Sequence, residues 1–151
     1  MTGTSDTKLL YPGLAGFYAS WRNIADTLVR VIIGYDIFMH GWAKVTMAGV
    51  AGVSGFMAKN GLNPGVAFAL AAMFLETIGA ICIIIGLFTR FFAAAIAIEL
   101  AIAFLVIHLP HGFSVYGHGY EYVLLLGVVM FAIAIRGGGP YSVDRMIGKE
   151  L

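Results

Sequence analysis

Two apolar runs, Val66 to Phe88 and Phe91 to Leu109, are each long enough to cross a bilayer, and each carries one acid, Glu76 and Glu99. A spanning helix needs roughly 20 apolar residues. A carboxylate near the bilayer centre costs about 2.5 kcal/mol or more even on insertion scales, so such acids face a bundle interior and mark a functional path. This pairing predicts an integral membrane protein with a polar interior.

Composition agrees: 60% of the 151 residues are hydrophobic, 11% are charged, and the mean hydropathy is +0.92. A soluble domain cannot hide that much apolar surface, and the length accommodates one domain of about four spanning helices with short connections. The net charge of +1 leaves no nucleic-acid footprint. Cys82 is the only cysteine and lies inside an apolar run, which excludes intramolecular disulfides and CxxC pairs and fits a small core residue. The stretch through Lys8 is polar and no early apolar run ends in a cleavage site, so no removable signal peptide is expected.

The expected fold is all-α, a four-transmembrane-helix bundle with an N-terminal interfacial helix. Leu14, Phe17, Tyr18 and Trp21 recur at helical spacing ahead of Arg22, as in a helix lying at the interface. The spans are expected at about residues 24–42, 66–88, 91–109 and 119–136. Asp26, Arg30, Asp36 and His40 interrupt the first, which survives if they face inward. The stretch from Lys44 to Asn63 reads as a connection, with Gly49, Gly52, Gly55, Asn60-Gly61 and Asn63-Pro64 as breakers. Pro64 is placed to open the second span, and Thr89 and Arg90 form a tight hairpin between the second and third. Gly137, Gly138, Gly139 and Pro140 end the fourth. Without a preceding strand or a following Lys-Ser/Thr they are a helix terminator, not a phosphate loop. Ser142 is positioned to cap a short final helix.

An even number of spans puts both termini on one side, together with seven of the nine basic residues: Lys8, Arg22, Arg30, Arg90, Arg136, Arg145 and Lys149. The positive-inside rule makes that side cytoplasmic. His40, Lys44, His108, His111, His118 and Glu121 then fall at the outer end, with Asp36 and Glu76 below them. Asp36 and His40, four apart, share a helix face and can hydrogen-bond or present two ligands to one ion. Small residues at Ala72, Gly79 and Ala80 on the face of Glu76 admit a neighbouring helix, which turns Glu76 inward. Glu99 and His108, nine apart on a regular helix, fall on nearly opposite faces, so Glu99 is assigned to a second cavity or a subunit contact.

Each of these residues also has a structural reading. Asp36 and Glu76 would pair with Arg30 or Lys44 to hold the bundle together, and Arg90 would anchor the hairpin. His111 and His118 would be loop residues, and Tyr116, Tyr120 and Tyr122 an interfacial aromatic belt, although such rings also floor quinone pockets.

The ordered set His40-Gly41-x-x-Lys44, Glu76, Gly86 to Arg90, His108 with Gly112-Phe113, Tyr120-Glu121-Tyr122 ahead of Leu124 to Leu126, and Gly137-x-Gly139 to Asp144 resembles the DoxX family over roughly Arg30 to Asp144. The resemblance implies a four-helix protein of the prokaryotic plasma membrane. The family includes the small subunit of a thiosulfate:quinone oxidoreductase and membrane anchors that gather soluble redox enzymes. Asp36 and Glu99 stand outside the usual set.

The expected function is a membrane subunit of a quinone-linked oxidoreductase. His40, Glu76 and His108 would handle protons at the quinone oxygens, Lys44, Glu121 and Tyr120 would shape the pocket, and Asp36 would orient His40. A metal on Asp36, His40, Glu76 and His108 is the alternative cofactor site; no haem is implied. Two other readings stay open. One is a non-catalytic scaffold subunit of a larger redox assembly; the other is a small proton-coupled transporter, which without an internal repeat would need to oligomerise. Expected partners are lipid and protein subunits or further copies of the chain.

Overall fold

The structure, a computed structural model, describes residues 8–151, so the polar stretch ahead of Lys8 and the leader reading drawn from it lie outside the described residues. Most of the described residues are helical and none forms a strand. Helix α1 runs Ala15–Ala43 and continues through a π turn, Lys44–Ala48. Helix α2 is Gly49–Lys59, and helix α3, Gly65–Ile85, contains a π turn at Leu75–Gly79. Helix α4 spans Thr89–His111, with a π turn at Phe104–His108 and a final 3-10 turn. Helix α5 is Glu121–Arg136 and the short α6 is Val143–Ile147.

Helices α3 and α4 are long and apolar enough to cross a membrane, and most of their side chains are not buried within the bundle. Val66, Leu70, Phe74, Ile78, Ile81 and Ile85 form an exposed stripe along α3, and Leu124, Leu125, Val128, Phe131 and Ile135 expose α5 in the same way. A soluble protein buries such surfaces. A membrane protein turns them to lipid.

Three sequence expectations change. The segment Leu14 to Arg22 is no separate interfacial helix but the start of α1, because nothing between Arg22 and Ile24 breaks the backbone ladder. The supposed connection after Lys44 is largely helical. Its glycines are tolerated because Val53 and Met57 on α2 pack against Ala69 and Ala72 on α3, forming a second small core beside the main one. The hairpin between α3 and α4 lies at Gly86 to Phe88, with Thr89 and Arg90 already in α4. Gly86, at φ 74°, takes the left-handed conformation that ends α3, while Leu87 N–H donates to the Cys82 carbonyl at 2.8 Å. This is a glycine-terminated Schellman closure. Cys82 packs, half-buried, against the main core of Ile37, Ala80, Ile83, Phe92, Ala93, Ile96, Met130 and Ile133.

The hairpin end is fastened by buried polar groups. Asp144, 1% exposed, accepts from Phe88 N–H at 2.7 Å, Thr89 N–H at 2.9 Å and the Thr89 hydroxyl at 2.7 Å, capping α4 from a segment some 55 residues away. Ser142 caps α6 by accepting from Arg145 N–H at 3.2 Å. Arg30 is buried and donates to the Ile83 carbonyl at 2.5 Å, the Ile84 carbonyl at 2.6 Å and the Tyr141 carbonyl at 2.7 Å, satisfying the open end of α3. It therefore pairs with backbone, not with Asp36 or Glu76. Arg90 closes α5 through the Ala134 and Ile135 carbonyls at 3.2 and 2.5 Å and pairs with Glu150 at 2.7 Å. Arg136 pairs with Asp26.

Asp144→Ala removes a charged cap with three donors and is expected to lower stability by about 2–4 kcal/mol. Glu150→Ala, at an exposed pair, is expected to cost less than about 1 kcal/mol. Thermal unfolding of both variants in detergent checks the contrast.

Candidate functional site

At the end of the bundle away from Asp144, the helices part around a cavity of about 840 Å³ lined by α1 to α5 and the loop before α5. Most of the wall is apolar, including Ile37, Phe56, Phe68, Leu75, Ile98 and Ile107. Into it are set His40, Lys44, Lys59, Asn60, Glu76, Glu99, His108, His111, His118 and Tyr122. All four histidines of the chain line this one space.

The centre is an ion pair between Lys44 Nζ and Glu76 Oε2, which ties α1 to α3. Glu76 is 7% exposed, and the helices meet there because Gly41 has no side chain. A Cβ at Gly41 would lie 2.5 Å from the Glu76 carbonyl carbon and oxygen. Three residues on, Gly79 admits Phe92 of α4. The small-residue face read from the sequence therefore packs as expected, with Glu76 turned inward. One turn before Lys44, the His40 ring lies 3.9 Å from the Asp36 carboxylate, beyond hydrogen-bond length, with Tyr122 of α5 beside both.

Each π turn carries one polar group of the cavity: Lys44, Glu76 and His108. Such turns are rare, and they gather at functional sites because the extra residue re-aims the side chains that follow. This explains a correction. A constant helical step puts Glu99 and His108 on opposite faces, but the π turn at Phe104–His108 removes roughly 100° of rotation. Both residues line the same cavity, and Glu99 sits within charge-interaction range of Glu76 and Lys44, not in a second site. Its Oε2 is shielded from solvent and has no hydrogen-bond partner.

His108 Nδ1 lies 2.8 Å from the His118 carbonyl, and His111 Nδ1 2.8 Å from the Ile107 carbonyl. A carbonyl only accepts, so each Nδ1 carries the hydrogen, and Nε2 of the neutral ring is free to accept a proton. His118, read as a loop residue, thus fixes His108 through its backbone. His111, His118 and Tyr122, read from the sequence as outer-end loop and belt residues, line the cavity, and Lys59 and Asn60, which carried no signal, join them. Lys59 and Asn60 arrive only because α2 is helical.

Two predicted pocket residues lie elsewhere. Tyr120 packs edge-on against Phe104 and Phe113, with ring centroids 5.2 and 5.7 Å away, and Glu121 Oε2 accepts from Val115 N–H at 3.1 Å. Neither lines the cavity; both order the loop that roofs it. The four residues named for a metal, Asp36, His40, Glu76 and His108, are not gathered into one ligand set. Among the described residues no three His, Cys, Asp or Glu side chains converge on one ion, and Glu76 is already taken up by Lys44.

The model of the DoxX family matches residues 25–109. A Haemophilus influenzae protein described as uncharacterized is 27% identical over 130 residues, covering 81% of this chain and 90% of its own length. A Bacillus subtilis protein named "Putative oxidoreductase CatD" is 32% identical over 127 residues, covering 83% of this chain and 89% of its own. No solved structure matches the chain.

Lys44→Met removes the counter-charge of the buried Glu76, which must then be held as the neutral acid, and is expected to lower stability by about 1–3 kcal/mol at neutral pH. Gly41→Leu, which forces α1 off α3, is expected to lower the melting temperature in detergent markedly, whereas Gly13→Leu, in open space, leaves it unchanged. Thermal scans of the three variants read both effects.

Proposed function

The chain belongs to the DoxX family, and from that membership we propose that it is the membrane subunit of a quinone-linked oxidoreductase whose cavity receives the quinone head group. In this reading α1, α3, α4 and α5 are four spans, the termini are cytoplasmic, and the cavity opens toward the outer leaflet of a prokaryotic plasma membrane. The distribution of basic residues supports that orientation. The relatives in Haemophilus influenzae and Bacillus subtilis support the setting.

The observation that carries the proposal is the convergence of His40, Lys44, Glu76, Glu99 and His108 on one largely apolar cavity among membrane helices. A quinone is a polar ring on an apolar tail. About 840 Å³ lies within the usual range of small-molecule sites, and the Ile98, Ala95 and Ile102 face of α4 offers an apolar flank for the tail. Reduction of a quinone takes up two electrons and two protons; the electrons would come from a partner protein. The chain's own part is proton handling and positioning. His108 Nε2 is the free basic atom of a ring whose other nitrogen is fixed by backbone. Lys44 offers a donor to a ring oxygen while neutralising Glu76. His40, half exposed, stands between the site and water, and the apolar wall limits water at the ring.

The Gly41 crossing favours a second reading, in which the Lys44–Glu76 pair only holds the bundle and the chain is a scaffold for a redox assembly. Titration of a short-chain quinone analogue into the protein in nanodiscs separates the two. Quinone binding predicts that His108→Asn and Glu76→Gln each weaken affinity about tenfold or more, some 1.4 kcal/mol, while Glu121→Gln does not. A scaffold predicts no saturable binding in the parent protein.

A further inference from the structure

We propose that Glu99 is a working member of the site: with Glu76 and Lys44 it forms a three-group charge cluster that stores one exchangeable proton at the inner end of the cavity. This deepens the reading of the cavity as a proton-handling quinone site. The proton count itself rests only on the cluster.

Glu76 and Glu99 reach the cavity from α3 and α4, and Lys44 reaches it from α1. The three are near enough for their charges to interact. Lys44 is committed to Glu76. Glu99 Oε2 is shielded and accepts no hydrogen bond. With both acids ionised the cluster carries one uncompensated negative charge among Leu75, Ala95 and Ile98, an arrangement costing several kcal/mol in an apolar setting. The other charged or titratable groups around the cavity do not cancel it. Asp36 on α1 would add negative charge, and its Oδ2 is itself shielded and unpartnered. Lys59 on α2 is exposed. The rings of His108 and His111 are tied to carbonyls, His118 lies in the outer loop, and His40 and Tyr122 flank Asp36. One proton shared by the two carboxyls leaves the cluster neutral, as in other sites where two carboxylates cannot both ionise. Such a proton can pass to a base in the cavity and be replaced from its mouth without opening the bundle.

Infrared spectroscopy of the protein in nanodiscs at neutral pH, without quinone, reads this directly. The carboxylic-acid carbonyl band of the parent protein is expected to shift in D2O. It should lose one carboxyl's intensity in Glu99→Gln, and equally in Glu76→Gln, because the remaining acid then pairs with Lys44. In Lys44→Met the band should gain one carboxyl's intensity. A band unchanged in both Gln variants, or no band in the parent, overturns the stored proton. Failure of quinone binding with the band behaving as expected would remove the quinone reading and leave the cluster in place.

Discussion

The close crossing of α1 and α3 at Gly41 and Glu76 sets the geometry on which the rest depends. Only a residue without a side chain lets α1 come so near the Glu76 backbone, and only at that separation does Lys44, one turn on, meet the Glu76 carboxylate. The pair is a structural tie and the floor of the cavity at once. An ion pair in an apolar setting adds little net stability over apolar packing, because desolvation offsets the attraction.

The two ends of the bundle are built on opposite principles. At the hairpin end Asp144, Arg30, Arg90 and Ser142 satisfy helix termini that would otherwise leave bare backbone groups, and the helices close tightly over Ile83, Ala93 and Met130. At the cavity end, polar side chains face a space, and three π turns replace regular helix. A rigid base lets the upper helices hold separated polar groups without collapsing on them. The lipid-facing stripes on α3 and α5 carry none of those groups.

Much of this was legible in the residues. Apolar runs of spanning length located α3 and α4, the small residues around Glu76 predicted its inward turn, Ser142 announced a helix cap, and Gly137 marked the end of α5. What escaped depended on irregular or distant geometry. No sequence signal marks a π turn, so the fixed angular step separated Glu99 from His108. Glycines at 49, 52 and 55 looked like a loop because the packing of Val53 and Met57 on α3 is tertiary information. Asp144 caps a helix that begins 55 residues earlier, and no local pattern reveals such a partner. Tyr120 and Glu121 carried the right chemistry but point into their own loop.

On the proposed reading the polar cavity holds a quinone. Native mass spectrometry of the protein, isolated from its own membranes in mild detergent with its partners retained, tests it most directly. The expected result is about one isoprenoid quinone per chain alongside a redox partner. A complex isolated intact from quinone-containing membranes, with partner subunits present and the cavity free of quinone, would contradict it.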